Sequence, residues 1–111
     1  MASFETMKNL IEKLNSNLEM KNELKGWNKT FQFNITDNKE YYVEFKEDGS
    51  AVLKEGKAPV ANTTFSATDK VMDDILNGKL DGVQAYFSGQ LKVSGDILLA
   101  QKLVSLVKKA K

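Results

Sequence analysis

Between residues 31 and 53 the chain keeps a period of two. Phe31, Phe33 and Ile35 alternate with polar residues in FQFNI, and Tyr41, Val43 and Phe45 hold one side of YYVEF. That period puts each apolar set on one face of a pleated strand, whereas a helix would scatter it around its axis. TDNK separates the two runs, and Asp48-Gly49 after the second is a strong hairpin-turn dipeptide. The pattern predicts three consecutive strands, the third short and centred on Ala51 to Leu53. Neighbouring strands joined by turns this short must run antiparallel.

The flanks have the helical period. Phe4, Met7, Leu10, Ile11, Leu14 and Leu18 recur behind Ser3, a capping residue type, and fall in an arc of about 120°, one ordinary core stripe. Trp27 follows Gly26 in a turn. After a loop at Gly56 to Pro59, Asn62 to Ser66 reads as a fourth strand with Thr63 and Phe65 on one side. Thr68 or Ser66 caps a helix carrying Val71, Met72, Ile75 and Leu76, which Asn77-Gly78 stops. Asp81 and Gln84 have capping-box spacing for a short helix ending before Gly89. Leu91 and Val93 form the inner side of a fifth strand, and Asp96 opens the last helix. The order is helix, four strands, two helices, strand, helix. It predicts an α+β fold: a five-stranded, mainly antiparallel sheet with helices covering one face. At 111 residues the chain is sized for a single domain, residues 1–111.

The last helix is more apolar than one contact requires. Ile97, Leu99, Ala100, Leu103, Val104, Leu106, Val107 and Ala110 fill about 180° of its wheel, with Leu98 stranded among Gln101, Lys102, Ser105, Lys108 and Lys109. Such a face touches two things. One is the sheet; the other is a neighbouring helix, a partner chain or an apolar ligand, and packing on sheet plus helix is the commoner arrangement.

Composition removes several functions. All 16 basic residues are lysine, set against 15 acids for a net charge of +1. Without arginine the chain lacks the planar fork that reads guanine, and without net charge it lacks a field for nucleic acid, so no nucleic-acid partner is expected. With no histidine and no cysteine it cannot build the usual nucleophile–base pairs or a conventional zinc site. Cysteine absence also rules out a disulfide frame and suits an intracellular setting. Ser105 and Lys108 spell S-x-x-K but lie on the polar arc of the last helix, and Asp73 and Asp74 point about 100° apart, which suits a solvated edge. The glycines fit no phosphate-binding spacing. The N-terminus lacks the continuous apolar run of a signal or membrane span. Sequons at Asn28, Asn34 and Asn62 read as chance in an asparagine-rich chain.

One stretch is more specific. In residues 76–106, Gly78-Lys79, Ala85, Tyr86-Phe87, Gly89, Leu91-Lys92, Gly95 and Lys102-Leu103 form a frame that resembles the C-terminal signature of the sterol carrier protein type 2 family. That family comprises small free lipid carriers and the last domains of multifunctional peroxisomal β-oxidation enzymes. The resemblance implies an apolar tunnel between sheet and helices that takes a fatty acid, fatty acyl-CoA, sterol or phospholipid. It implies no enzyme activity and no cofactor, transient membrane contact, and peroxisomal enzymes as partners. A non-catalytic docking or self-association module of a larger β-oxidation enzyme is the alternative, and predicts a filled core with an exposed apolar patch around Leu98.

On the resemblance, Phe33, Phe45, Ile75, Leu76, Phe87, Leu99, Leu103 and Leu106 are assigned to the tunnel; for each, sealed core is the competing assignment. Gln101 matches a glutamine of some relatives and is assigned to a ligand head group or to water. Where relatives often carry Pro-Gln before the aromatic pair, this chain has Gly82-Val83, with Gln84 one place on. If that family glutamine is the polar contact in the tunnel, Val83 removes it and the head-group preference of this chain differs. Family members often end in a peroxisomal address of the S-K-L type, and this sequence ends Lys109-Ala110-Lys111, one leucine short. Peroxisomal localisation is the family expectation and the cytoplasm the alternative.

Overall fold

The computed structural model describes residues 2–110; Met1 lies outside the described residues, as does Lys111, the last residue of the tripeptide on which the targeting expectation rests. The elements are α1 (Ala2–Asn15), α2 (Leu18–Glu23), β1 (Thr30–Ile35), β2 (Tyr41–Phe45), β3 (Ala51–Glu55), β4 (Thr63–Ala67), α3 (Asp69–Leu76), α4 (Gly82–Phe87), β5 (Lys92–Gly95) and α5 (Ile97–Ala110). The sheet order is β3-β2-β1-β4-β5. Three pairings are antiparallel, but β1 and β4 at the centre are parallel, with Phe31 beside Thr63 and Phe33 beside Phe65. Local alternation carries no information about that pairing, because a strand shows the same period whichever way its neighbour runs.

The inner face of the sheet is aromatic. The Phe33 ring stacks between Tyr41 and Phe65 at 5.2 Å on each side, while Trp27 packs on Phe31 and Phe45 from the turn that follows α2. On the outer face Gln32 is buried and fully used. Its amide donates to the Tyr41 and Gly56 carbonyls and accepts from the Ala58 amide at 2.8 Å, binding the loop after β3 across the strand.

Two expectations at the N-terminus are corrected. Ser3 does not cap α1; it lies inside the helix, wholly buried, and its backbone N–H and hydroxyl both donate to the Asp69 carboxylate. Tyr41 donates to the Ser3 hydroxyl at 2.9 Å, and Thr6 donates to Asp73 one turn further along. Asp69 thus serves the first turns of both α1 and α3, where a carboxylate is favoured by the exposed amides. Leu18 does not extend the α1 stripe either. Asn15, the last residue of α1, exchanges two side-chain hydrogen bonds with the backbone of Ala51, on the edge strand β3. Asn17 then caps the unforeseen α2 by accepting from the Met20 amide, and Leu18 stands 72% exposed. Asparagine is favoured at helix caps over helix interiors, and Asn17 starts a second helix in place of a longer α1.

The other caps follow expectation. Thr68 accepts from Val71, Asn77 closes α3, and Asp96 accepts from Leu99. Asp81 caps α4 as expected, but by accepting from the Val83 amide and without the reciprocal Gln84 bond of a capping box. Gly95 of the signature takes φ +87° against the neighbouring strand, where a Cβ would come within 2.5 Å of the Asn62 carbonyl oxygen; only glycine fits there.

Burial raises the Asp69 pKa, but hydrogen bonds from the Ser3 side chain and backbone and from Asn38 outweigh it and hold the carboxyl below its ordinary value. A depressed folded pKa gives stability that is present above the unfolded value and lost as pH falls through the folded one. Asp69→Ala is expected to cost about 1–2 kcal/mol at neutral pH, discounted for partial exposure. In urea unfolding, the gap from wild type should stay constant down to about pH 5 and narrow below about pH 4.

Candidate functional site: an apolar cavity between sheet and helices

The covering helices do not close completely over the sheet. Between α3 and α5 lies a cavity of about 360 Å³, within the size range of small-molecule sites. Phe33 and Phe65, brought side by side by the parallel strands, form its floor. Met72, Ile75 and Leu76 of α3 make one wall; Leu103, Val104 and Val107 of α5 make the other. Leu80, Gly82 and Leu91 contribute at the end near α4, and the exposed residues Gly78, Asp81 and Lys108 form the rim. Asp81 and Lys108 are the only charged residues in the lining among those described, so the interior offers apolar contact and the rim a polar exit.

This geometry accounts for the wide apolar arc of α5. Leu103, Leu106, Val107 and Ala110 meet Met7, Leu10, Ile11 and Leu14 of α1 around a gap of only about 20 Å³. Leu103, Val104 and Val107 turn their other side to the cavity. One edge of the helix is packed core and the other is wall. Lys102, on the polar arc, lies over the Trp27 ring at 5.5 Å, a cation–π contact that ties α5 to the turn before β1.

The assigned residues divide accordingly. Phe33, Ile75, Leu76 and Leu103 line the cavity. Phe45 and Leu106 stand around the small gap beside α1, with Phe33 and Leu103 shared between the two spaces. Leu99 is half-buried and packs against the core cluster. Val83 and Phe87 are 48% and 81% exposed, and Gln101 is exposed. Sequence reasoning missed Phe65, Met72, Leu80, Leu91, Val104, Val107 and Lys108. Val104 and Val107 were legible as members of the wide arc; Phe65 depended on a parallel neighbour, and Lys108 carried no signal beyond its place at the edge of the arc. Ser105 and Lys108 are both exposed, while Asp73 accepts from Thr6 and Asp74 pairs with Lys70 at 3.2 Å.

The model of the SCP-2 sterol transfer family matches residues 7–108. The chain belongs to that family. It is 34% identical over 89 residues to the peroxisomal multifunctional enzyme type 2 of Mus musculus, a stretch covering 77% of this chain and 12% of that enzyme. The solution structure of the sterol carrier protein domain 2 of Helicoverpa armigera superimposes with a TM-score of 0.72 at 24% identity, covering 96% of this chain and 85% of that one. The solution structure of palmitated SCP2L2 from Aedes aegypti does so with a TM-score of 0.66 at 21% identity, over 88% and 90%. These likenesses establish the shared sterol carrier fold. Among the described residues of this family member, no helix is long and apolar enough to cross a membrane.

A real void absorbs added volume, whereas a packed core resists it. Leu76→Phe, at the cavity wall, is expected to change unfolding stability by less than about 1 kcal/mol. Val43→Phe, beside the small gap, should cost about 1–3 kcal/mol. Urea unfolding of delipidated protein would measure both, and the reverse ranking would mean that the space is already filled.

Proposed function

We propose that this chain is an intracellular, non-catalytic carrier for slender apolar lipids, acting as one binding domain either alone or within a longer peroxisomal enzyme. The observation that carries the reading is the apolar cavity of about 360 Å³ with charge only at its rim, in a member of a sterol transfer family. Burying about fifteen methylenes is worth roughly 12 kcal/mol in gross transfer terms, so an acyl chain can drive its own uptake. A membrane offers the same apolar surroundings. The net reaction is therefore exchange between apolar hosts, which suits transfer.

Fatty acids and fatty acyl-CoA are the proposed ligands ahead of sterols, because Lys108 stands at the rim as a cation for an anionic head, whereas Asp81 is occupied in capping α4. The palmitated Aedes aegypti structure supports an acyl ligand for the fold. The tunnel of the family corresponds in this reading to the cavity. The Mus musculus relative supports a peroxisomal setting among β-oxidation enzymes, with the chain as one part of a larger protein. The docking-module alternative is favoured by one observation, the exposure of Leu98 and its apolar neighbours, but it gives no use for the cavity.

Delipidated protein titrated with a fluorescent C16 fatty acid is expected to saturate at one site, with native mass spectrometry showing the same stoichiometry. Leu103→Trp, which fills the cavity from α5, should weaken binding about tenfold or more while the fold persists. Absence of saturable binding by folded wild-type protein would overturn the carrier reading. Unchanged binding by Leu103→Trp would move the site elsewhere. Lys108→Met is expected to weaken a C16 fatty acid but leave the C16 alcohol unaffected, and equal effects on both ligands would remove the head-group role.

A further inference from the structure

Helix α4 wears its side chains the wrong way round. Gly82 and Ala85 face the interior, Ala85 completely buried, while Val83, Tyr86 and Phe87 are 48%, 43% and 81% exposed. Their spacing of three and four residues places the three large side chains on one face, and the Tyr86 and Phe87 rings lie 5.5 Å apart edge to face. A helix that only covered a core would bury that face and expose its small residues. Ile97 and Leu98, just beyond β5, are exposed as well. Five of the seven large apolar side chains exposed among the described residues therefore fall between positions 83 and 98. Single exposed apolar residues need no explanation, but three large ones on one face of a short helix mark an interaction surface.

We propose that this outward face of α4 docks on an anionic lipid bilayer and sets the rim of the cavity against the membrane. The proposal rests on the carrier reading and adds where and how the carrier meets its donor. Position supports it, since Gly82 lines the cavity and Val83 follows it directly. Charge supports it too. Residues 2–77 carry thirteen acids and ten lysines, whereas residues 78–110 carry five lysines and two aspartates. Both of those aspartates, Asp81 and Asp96, are engaged as helix caps. Lys79, Lys92 and Lys108 are exposed in the same segment, and Lys108 reaches the cavity rim. Exposed aromatic rings in a lysine-rich segment have the composition of a bilayer interface, whereas lysine is depleted where proteins meet.

The test is sedimentation with phosphatidylcholine vesicles, with and without phosphatidylglycerol, alongside transfer of a fluorescent fatty acid between vesicles. Wild-type protein should bind the anionic vesicles, and less so in high salt. Phe87→Ser should lower both the bound fraction and the transfer rate about tenfold, leaving the fatty-acid Kd in solution and the unfolding midpoint unchanged. Leu18→Ser, at an exposed leucine outside the patch, should change none of these. The proposal is overturned if wild type binds no vesicles, if Phe87→Ser binds like wild type, or if Leu18→Ser fails equally. A concentration-dependent oligomer abolished by Phe87→Ser, without vesicle binding, would assign the face to self-association instead. Fatty-acid uptake without vesicle binding would remove this proposal alone, and vesicle binding without uptake would remove the carrier reading and keep the surface.

Discussion

The parallel pairing of β1 with β4 is the constraint on which the remaining architecture depends. It brings Phe33 and Phe65 into register at the centre of the sheet, where their stacked rings make a flat apolar floor. It also fixes where α3 starts, because β4 runs into Thr68 and the helix within one residue. Once α3 is directed from that point, α1 is held to it by the Ser3–Asp69 and Thr6–Asp73 hydrogen bonds. Burial drives the pKa of Tyr41 up, so its phenol stays protonated and able to donate to Ser3 at the foot of the same junction. Two helices are thereby clamped at one end, and α5 crosses to pack on α1.

The space between α3 and α5 follows from what that clamp leaves undone. α5 is packed along the edge it presents to α1, and the side chains of its other edge reach neither α3 nor the sheet closely enough to close the gap. The residue at the end of that gap is Gly82, whose missing Cβ would meet Ile75 and Val104 at ordinary contact distance. A larger residue there would bridge the two walls. The chain instead spends its bulky residues of α4 on the outside, where they cannot stabilise the core. A sequence under selection for stability alone would do the opposite.

Much of this was legible in the sequence. The alternating runs at Phe31–Ile35 and Tyr41–Phe45, the Asp48-Gly49 turn and the caps at Thr68, Asp81 and Asp96 are each decided within a few residues, and all have their expected roles. The errors arise where a distant group intervenes. Ser3 has the chemistry of a cap but is taken over by Asp69, and α1 stops at Asn15, whose side chain binds the backbone of Ala51, 36 residues away. The candidate site is mixed for the same reason. Helical period identified Ile75, Leu76 and Leu103 as inward-facing, but it equally suggested Leu106, which is core, and it could not reveal that Phe87 points outward.

By itself the sequence determined the α+β class and the order of every element except α2, because period, caps and turns act over a few residues and need no partner. It also carried the family signature, whose Gly95 answers to a close backbone approach. Tertiary structure alone decided the central parallel pair, the division of α5 into core and wall, and the outward turn of α4. Each depends on which surfaces meet across dozens of residues, and one helical or strand period is compatible with several such meetings.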